Sequence, residues 1–317
     1  MVDTSIQGKA LRIAIIGDVH DQWDDQDAVM LHSLQVDLVL FVGDFGNEAV
    51  EVVRSIAALD IPKAAIFGNH DAWYSATPWG RKKCPYDRAT EDWVQTQLNL
   101  LDEAHVGYGK LDFPALGLTV VGGRPFSWGG PEWKTKTFYR ERFGVHNFEE
   151  SVTRIKEAVN TAAHNTLLFV GHCGPTGLGN RPESICGKDW QPIGGDFGDP
   201  DLTEAIAYAR QIGKAVPLVT FGHMHHTLRH RKDMPRERLT IGESGTVYLN
   251  AACVPRIIKT GSTCLRNCSL VTLMQNRIHQ ATLMWLNQDL EVAAAEDLLQ
   301  TCASAVTSPV LVQGAQS

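Results

Sequence analysis

Short apolar runs in this chain repeatedly end in a glycine followed by Asp, His or Asn. The pattern occurs five times, in "IAIIGDVH", "LVLFVGDFGN", "AAIFGNHD", "LLFVGHCGP" and "PLVTFGHMHH". Apolar runs of this length are typical of buried β-strands. A single strand ending in this way indicates only a turn, because Asn, Gly and Asp tolerate left-handed backbone angles. The recurrence predicts instead that polar side chains from several strands converge on one edge of a sheet.

The composition is typical of a soluble globular protein and argues against two kinds of partner. The chain has 317 residues, of which 44% are hydrophobic and 21% are charged, so it can bury a large core. Its formal net charge of -7 disfavours a broad nucleic-acid or anionic-membrane surface, since either needs a basic stripe. The apolar runs are too short to cross a bilayer, and the first residues do not resemble a signal peptide. We therefore expect a cytoplasmic protein with no membrane partner and no nucleic-acid partner.

The order of predicted elements changes along the chain. Strand-like and helix-like segments alternate first, which is typical of βαβ units with parallel strands. From about residue 238 onward, strands are joined by turns, and "QNR" at 275–277 marks a hairpin. Two stacked sheets with helices on both outer faces would accommodate both parts. We expect one domain over residues 1–288 with loop insertions at about 73–113 and 124–149, followed by a C-terminal helix and flexible tail over 289–317.

The polar residues that follow the strands belong to types that bind transition metals. Those we single out are Asp18, His20, Asp44, Asn69, His172, His223 and His225. Imidazoles with a few carboxylates and an amide oxygen suit Mn, Fe or Zn, whereas an all-oxygen set would indicate Ca or Mg. Side chains two residues apart in an extended chain point the same way. Asp18 and His20 are therefore expected to face one ion together. His223 and His225 are likewise expected to face one ion together.

The five blocks D-x-H, G-D, G-N-H-D, G-H and G-H-x-H, in this order over roughly residues 12–255, resemble the calcineurin-like metallophosphoesterase superfamily, including its uncharacterised cyanobacterial and plastid members. The resemblance implies a mixed α/β, four-layer α-β-β-α fold with a dinuclear metal site at the sheet edge. It also implies that Asp44 bridges the two ions. Asp18, His20 and His225 then complete the first position. Asn69, His172 and His223 complete the second.

The resemblance also implies roles for the two residues after Asn69. His70 would protonate the leaving oxygen or stabilise the transition state. Asp71 would either orient His70 or cap the following turn.

Charge balance predicts an anionic substrate. Two divalent or mixed-valence ions bring about four positive charges, and Asp18 and Asp44 remove about two of them. The remaining charge suits a hydroxide together with a phosphate ester. A water shared by the ions, its pKa lowered from about 16 towards about 7, supplies the nucleophile as a metal-bridging hydroxide. We therefore expect hydrolysis of a small phosphate monoester or diester, with nucleotides among the candidates.

Two departures from the superfamily's pattern narrow the subgroup. The Ser/Thr protein phosphatases continue the second block to Asp-Arg and place an Arg before the Asn-His block, whereas this chain has "GDFGN" and Phe67. Purple acid phosphatases carry a Tyr three residues after the second Asp, and Asn47 stands there instead. Neither subgroup is expected.

The segments between the strands are candidates for substrate recognition. Their tryptophans either shape specificity or pack the loops down, and these are Trp73, Trp79, Trp128 and Trp133. Their arginines are candidate phosphate clamps, although most surface arginines are solvated. These are Arg124, Arg140, Arg142 and Arg181. Two Gly/Asp-rich segments, 172–180 and 189–202, are candidate pocket walls, and neither is a P-loop.

Two other functions remain open. A metal-dependent nuclease fits the five blocks, but the acidic balance and the absence of a basic tract count against it. A non-catalytic metal-binding scaffold would be expected to have lost some ligands, whereas every ligand position is filled here. The sequence predicts no particular oligomeric state.

Overall fold

A computed structural model describes residues 10–242, 244–261 and 263–300. The strands are β1 Leu11–Ile16, β2 Leu38–Phe41, β3 Lys63–Ala65, β4 Lys110–Phe113, β5 Leu118–Gly122, β6 Thr166–Val170, β7 Ala215–Phe221, β8 Leu239–Ile241, β9 Val247–Asn250, β10 Ile257–Thr260, β11 Thr263–Met274, β12 Arg277–Leu286 and β13 Val292–Gln300. The α-helices are α1 Asp25–Ser33, α2 Val50–Ala57, α3 Trp73–Ala76, α4 Pro78–Arg81, α5 Trp93–Leu101, α6 Lys136–Phe143, α7 Phe148–Asn160 and α8 Pro200–Gln211. Single 3-10 turns cover His70–Ala72, Asp102–Ala104 and Pro114–Leu116.

The strands form two sheets, each with a block of parallel strands. The first sheet has the order β13-β12-β11-β1-β2-β3, with β10 also paired to β11, and the second has the order β4-β5-β6-β7-β9-β8. Strands β1, β2 and β3 are parallel, as are β5, β6, β7 and β9. Strands β10 to β13 pair in antiparallel fashion. The predicted change from helix-linked strands to an antiparallel tail is confirmed.

The central strands are buried on both faces, which explains why they read as continuous apolar runs. In β1, Ile13 and Ile15 belong to the core between the two sheets, whereas Ala14 and Ile16 pack with the helices outside. In β6, Leu168 belongs to the core between the sheets, and its neighbours in the strand pack against α7 and α8. The predicted α-β-β-α layering is therefore confirmed. The helices in the described ranges all fall short of the length and apolarity that a membrane span requires.

The predicted hairpin is present between β11 and β12. Its two loop residues, Gln275 and Asn276, have φ angles of 51° and 60°. Two consecutive positive φ angles are the signature of the turn whose twist matches that of the flanking strands.

The predicted C-terminal helix over 289–317 is wrong for its described part, because residues 292–300 form β13. This strand pairs with β12, and Leu298 and Leu299 pack against the core between the sheets. The segment is rich in Ala, Glu and Leu, which favour a helix, but strand pairing and burial override that propensity. The remainder of the expected tail, 301–317, lies outside the described residues.

The two expected loop insertions are only partly loops. The interval 73–113 contains α3, α4, α5 and β4, and the interval 124–149 contains α6 and the start of α7. Their short amphipathic segments are separated by Gly and Pro, so the sequence signal of each helix is weak.

Candidate metal centre

The glycine that precedes each group of polar residues occupies a place with no room for a side chain. A Cβ at Gly68 would overlap the Asp44 carboxylate and the His172 ring. A Cβ at Gly222 would overlap the Asp18 carboxylate. The backbone at these strand ends passes directly against buried carboxylates, so the repeated glycines are a packing requirement of the site.

Several of the candidate metal ligands have left-handed backbone angles. The φ angles are 32° for Asp18, 44° for His20, 52° for Asp44 and 65° for His223. Such angles cost residues other than glycine about 1–3 kcal/mol each, and they cluster at functional sites. The chain is therefore not extended at these positions, and the expectation based on extended geometry is corrected below.

The first group of candidate ligands consists of Asp18, His20 and His225, whose donor atoms lie within 4.8 Å of one another. The Nε2 atoms of His20 and His225 are 3.2 Å apart. The Nε2 atom of His225 is also 3.2 Å from Asp18 Oδ2. These are the residues that the resemblance assigns to the first ion.

The second group contains Asp44, His172 and His223, again within 4.8 Å. Asn69 joins it, because its Oδ1 lies 3.0 Å from His172 Nε2. His223 and His225 therefore belong to different groups, and the expectation that they face one ion together is wrong.

Asp44 lies between the two groups. Its Oδ1 is 3.4 Å from His172 Nε2, and its Oδ2 is 3.9 Å from His20 Nε2. One carboxylate oxygen thus faces each group. This is the placement that a bridging ligand requires.

The hydrogen bonding of His172 shows that the second group suits a cation. His172 Nδ1 lies 2.8 Å from the carbonyl oxygen of Val42, so Nδ1 carries the proton and donates it. In the neutral imidazole, the form that binds metals, the Nε2 atom then presents a lone pair to the oxygens of Asn69 and Asp44. Three lone-pair donors meet there without a proton between them, and a positive ion would relieve their repulsion. The donor set therefore fits a metal ion of the Mn, Fe or Zn kind.

Burial and neighbouring charges set the protonation of the ligands. Burial lowers the pKa of His223 to about 3, so its imidazole is neutral, which is the form that binds metals. Burial alone would raise the pKa of Asp18, but the hydrogen bond from His225 and the charges of the neighbouring imidazoles together outweigh it, and the pKa is lowered. Burial also opposes the ionised form of Asp44, but nearby imidazoles, His172 first, lower its pKa. Both carboxylates are thus available as anionic ligands.

His70 lies beside the ligands. Its backbone N–H donates to Asp44 Oδ1 at 2.9 Å, and its Nδ1 lies 2.7 Å from Asn47 Oδ1. The His70 ring stacks on Trp73, with centroids 4.6 Å apart. Burial lowers the pKa of His70. Sequence reasoning noted Asn47 only as the absence of a tyrosine and missed its contact with this ring.

Asp71 holds two of the ligand loops together. Its carboxylate is buried and accepts the backbone N–H groups of Gly68, Asp44 and Phe45 at 2.7, 2.9 and 2.8 Å. Burial, together with the Asp44 carboxylate, raises the pKa of Asp71. Through these three hydrogen bonds, the Asp71 carboxylate positions the loops that carry Asp44 and Asn69.

The ligands open into a cavity of about 540 Å³. Its other lining residues include Trp73, Trp128, Lys134, Trp190 and Arg229. Two of the four candidate tryptophans thus line the cavity. Trp79 instead packs edge-on against Trp73, and Trp133 lies under the Arg124 guanidinium. The segment 189–202 contributes a wall through its first residues.

None of the four candidate phosphate-clamp arginines lines the cavity. Arg124 is buried between Asp199 and Asp201, at 2.5 and 2.9 Å. The remaining ones pair with carboxylates outside the cavity: Arg140 with Glu141, Arg142 with Asp92 and Arg181 with Glu237. Arg229 and Lys134 supply positive charge to the cavity instead. Neither lies in a motif, so only their place in the folded chain reveals them.

Solved structures with a related fold share little sequence with this chain. A dimetal phosphatase from Danio rerio is 12% identical and superposes with a TM-score of 0.47, over 92% of this chain and 99% of that chain. A metallophosphoesterase from Sphaerobacter thermophilus is 17% identical, with a TM-score of 0.29 and 83% of each chain covered. A further solved structure, 12% identical, reaches a TM-score of 0.50 over 85% of this chain and 98% of that chain. No curated protein matches this sequence.

Two sheets flanked by helices, with candidate metal ligands gathered at one edge, define a mixed α/β protein with a candidate metal centre. The sequence profile of the calcineurin-like phosphoesterases matches residues 11–227, which is more than half of the 317 residues. The chain belongs to this family. It is a metal-dependent phosphoric ester hydrolase, as the motif order predicts.

Proposed function

We propose that this protein hydrolyses a small phosphate monoester or diester, nucleotides included, at two metal ions. The observation that carries the proposal is the pair of ligand groups that have Asp44 between them and open into one cavity. A cavity of about 540 Å³ has the size of a pocket for a single small molecule. We propose a small-molecule partner and a cytoplasmic location, with neither a membrane nor a nucleic acid as partner.

The residues that would hold the ions fall into the two groups described above. Asp18, His20 and His225 would hold the first. Asn69, His172 and His223 would hold the second, with Asp44 shared. When bound, two such cations lower the pKa of a water molecule and offset the charge of the phosphoryl oxygens.

The chain's own contribution to proton movement is proposed to be His70. Its Nδ1 donates to Asn47 Oδ1, so proton exchange with the substrate takes place at Nε2. The stack on Trp73 holds the plane of the ring. His70 would then deliver a proton to the leaving oxygen, and Asp71 would keep the surrounding loops in register.

The test is hydrolysis of p-nitrophenyl phosphate and of bis(p-nitrophenyl) phosphate with added Mn, compared for the wild type and Asp44→Asn. We expect a loss of about 10³-fold or more in kcat for Asp44→Asn. The substitution replaces the anionic carboxylate, whose two oxygens face the two ligand groups, by a neutral amide. Asp60→Asn is the matched control, since Asp60 is exposed and pairs only with His32 among its described contacts. Circular dichroism verifies that both variants are folded.

Two results would contradict the proposal. One is full activity of Asp44→Asn. The other is elemental analysis that finds no metal in either the isolated protein or a sample reconstituted with Mn. The ratio of monoester to diester rates in the same assay then decides the substrate's ester type.

A further inference from the structure

Besides the buried Arg236, two basic side chains line the cavity, Lys134 and Arg229. Lys134 Nζ lies 5.1 Å from the centre of the Phe197 ring, and the Arg229 guanidinium carbon lies 5.6 Å from the centre of the Trp190 ring. The Phe197 and Trp190 rings are in edge-to-face contact, with centroids 4.9 Å apart. One pair of aromatic rings therefore holds both cations.

Within the described residues, the Lys134 and Arg229 side chains contact aromatic rings, and neither forms an ion pair with a carboxylate. The nearby acid, Asp189, accepts the backbone N–H of Arg229 at 2.7 Å, and its carboxylate lies 3.4 Å from the buried Arg236. Asp189 and Arg236 thus balance each other. Two positive charges remain on this wall, and unbalanced charge in a cavity attracts an ion of opposite sign.

The same cavity presents flat aromatic faces. Trp128 stacks on Trp73 with centroids 5.8 Å apart and 25° between the ring planes. Both indoles line the cavity together with Trp190. Indole faces bind planar heterocycles by stacking without reading their hydrogen-bonding edges. The cavity therefore combines a metal-ligating region, aromatic faces and a separate pair of cations.

Resting on the hydrolysis proposed above, we infer that the substrate is a nucleotide carrying a second phosphate group, which Lys134 and Arg229 bind. The scissile phosphoryl group lies at the metal ligands, and the base packs against the tryptophans. In the reaction, the oxygen of water bonds to phosphorus and the P–O bond to the leaving group breaks. The leaving oxygen then takes up a proton. The second phosphate remains intact and anchors the molecule.

The experiment compares kcat/KM of the Mn-loaded protein for a nucleoside monophosphate, diphosphate and 3′,5′-bisphosphate, and for p-nitrophenyl phosphate. We expect at least one doubly phosphorylated nucleotide to exceed the monophosphate by about tenfold or more, which corresponds to about 1.4 kcal/mol. The diphosphate and the bisphosphate distinguish a second phosphate next to the scissile one from a second phosphate across the ribose.

Charge-removing variants locate the second-phosphate site. Arg229→Gln and Lys134→Gln should each reduce the preference for the doubly phosphorylated nucleotide by about tenfold. The matched controls are Arg181→Gln and Lys136→Gln, because Arg181 is exposed and paired with Glu237, and Lys136 is exposed on α6. Both controls should retain the wild-type preference.

The outcomes separate this inference from the proposed function. If p-nitrophenyl phosphate is hydrolysed but the monophosphate is preferred, or if the variants slow every substrate equally, the second-phosphate site is wrong and phosphoester hydrolysis stands. If no ester is hydrolysed, the proposed function fails. Nucleotide binding then tests the second-phosphate site independently of hydrolysis. Titration of tryptophan fluorescence with a nucleoside diphosphate should then show about tenfold weaker affinity for Arg229→Gln, and equal affinities would overturn the inference.

Discussion

The metal-ligand cluster and the surroundings of Arg124 are both buried groups of charged side chains, but they are built in opposite ways. Around Arg124, one guanidinium lies between the carboxylates of Asp199 and Asp201, and Ser127 donates a further hydrogen bond to Asp199. In the ligand cluster, Asp18 and Asp44 face imidazoles, and His223 is held neutral by burial.

The difference teaches which buried acids are structural and which are open to an external cation. A buried carboxylate is stable only with a partner. Arg124 is a partner supplied by the chain itself. In the ligand cluster, lone pairs converge at His172 Nε2, and the donor set there fits an ion from solution. The five predictions that the structure supports begin with Asp44→Asn, described above, which has the largest expected effect.

The second prediction tests the buried charged group around Arg124. Arg124→Met keeps most of the side chain's volume but leaves two buried carboxylates without a cation. We expect the free energy of unfolding to fall by about 3–5 kcal/mol, measured by denaturant titration. The loss should shrink as the pH is lowered, because protonated carboxyl groups no longer need the guanidinium.

Arg140→Met is the control for this loss, since Arg140 is exposed and pairs with its neighbour Glu141. Its effect should stay below about 0.5 kcal/mol. Equal stabilities of the two variants would show that Arg124 does not neutralise its partners.

The third prediction tests the metal-ligand cluster by removing metal. After treatment with a chelator, the wild type should unfold at a lower temperature, and Mn should restore the transition. Metal at about 100 times its Kd stabilises a folded protein by about 2.7 kcal/mol. Asp44→Asn, which lacks the shared carboxylate, should respond less. Identical transitions with and without Mn would mean that these residues hold no ion.

Most of the ligand cluster could be predicted from sequence, because each ligand follows a strand whose apolar run is easy to recognise. Parallel strands place their carboxyl ends at one edge, so ligands far apart in the chain were expected to meet. The local geometry could not be predicted. The residue type permits the left-handed angle at Asp18, since Asp tolerates such angles, but the sequence does not indicate which residues adopt them.

The cavity wall was less predictable for the same reason. Lys134, Trp190 and Arg229 come from separate segments and meet only because Phe197 and Trp190 pack together. Strand β13 shows the limit of local propensity, since its residues favour a helix in isolation and pair as a strand beside β12. Motifs that repeat at the strand ends can thus be identified from the sequence, whereas a contact between side chains of separate segments leaves no recognisable sequence pattern.

The fourth prediction concerns Asn47, which accepts a hydrogen bond from His70 beside the metal-ligand cluster. Asn47→Ala should remove the acceptor of the His70 Nδ1 proton and slow hydrolysis of an alkyl phosphate by about tenfold. Hydrolysis of p-nitrophenyl phosphate should slow much less, because its good leaving group needs little proton transfer. Steady-state kinetics on the two esters measures this split.

The matched control for the Asn47 variant is Asn99→Ala, since Asn99 lies on the exposed side of α5 and contacts Gln95. Equal slowing of both esters by Asn47→Ala would indicate that Asn47 only supports the fold of its loop.

The fifth prediction concerns His105, whose ring nitrogen Nε2 is buried without a counter-charge among the described residues. Its Nε2 atom is buried and has no hydrogen-bond partner among the described residues, and its ring packs 4.9 Å from the centre of the Phe67 ring. Burial lowers the pKa of His105 to about 4, whereas the pKa in the unfolded chain is about 6.5. Between these values the unfolded state binds a proton that the folded state does not.

The free energy of unfolding of the wild type should therefore decrease as the pH falls from about 6.5 to about 4, with a contribution from His105 of up to about 1.4 kcal/mol per pH unit. His105→Phe lacks this contribution, so its stability relative to the wild type should rise through the same window and stay constant above pH 7. Denaturant titrations of both proteins at a series of pH values measure the difference. Parallel stability curves would show that the His105 ring is protonated inside the fold, and a buried imidazole would then need a counter-charge, as the carboxylates at Arg124 do.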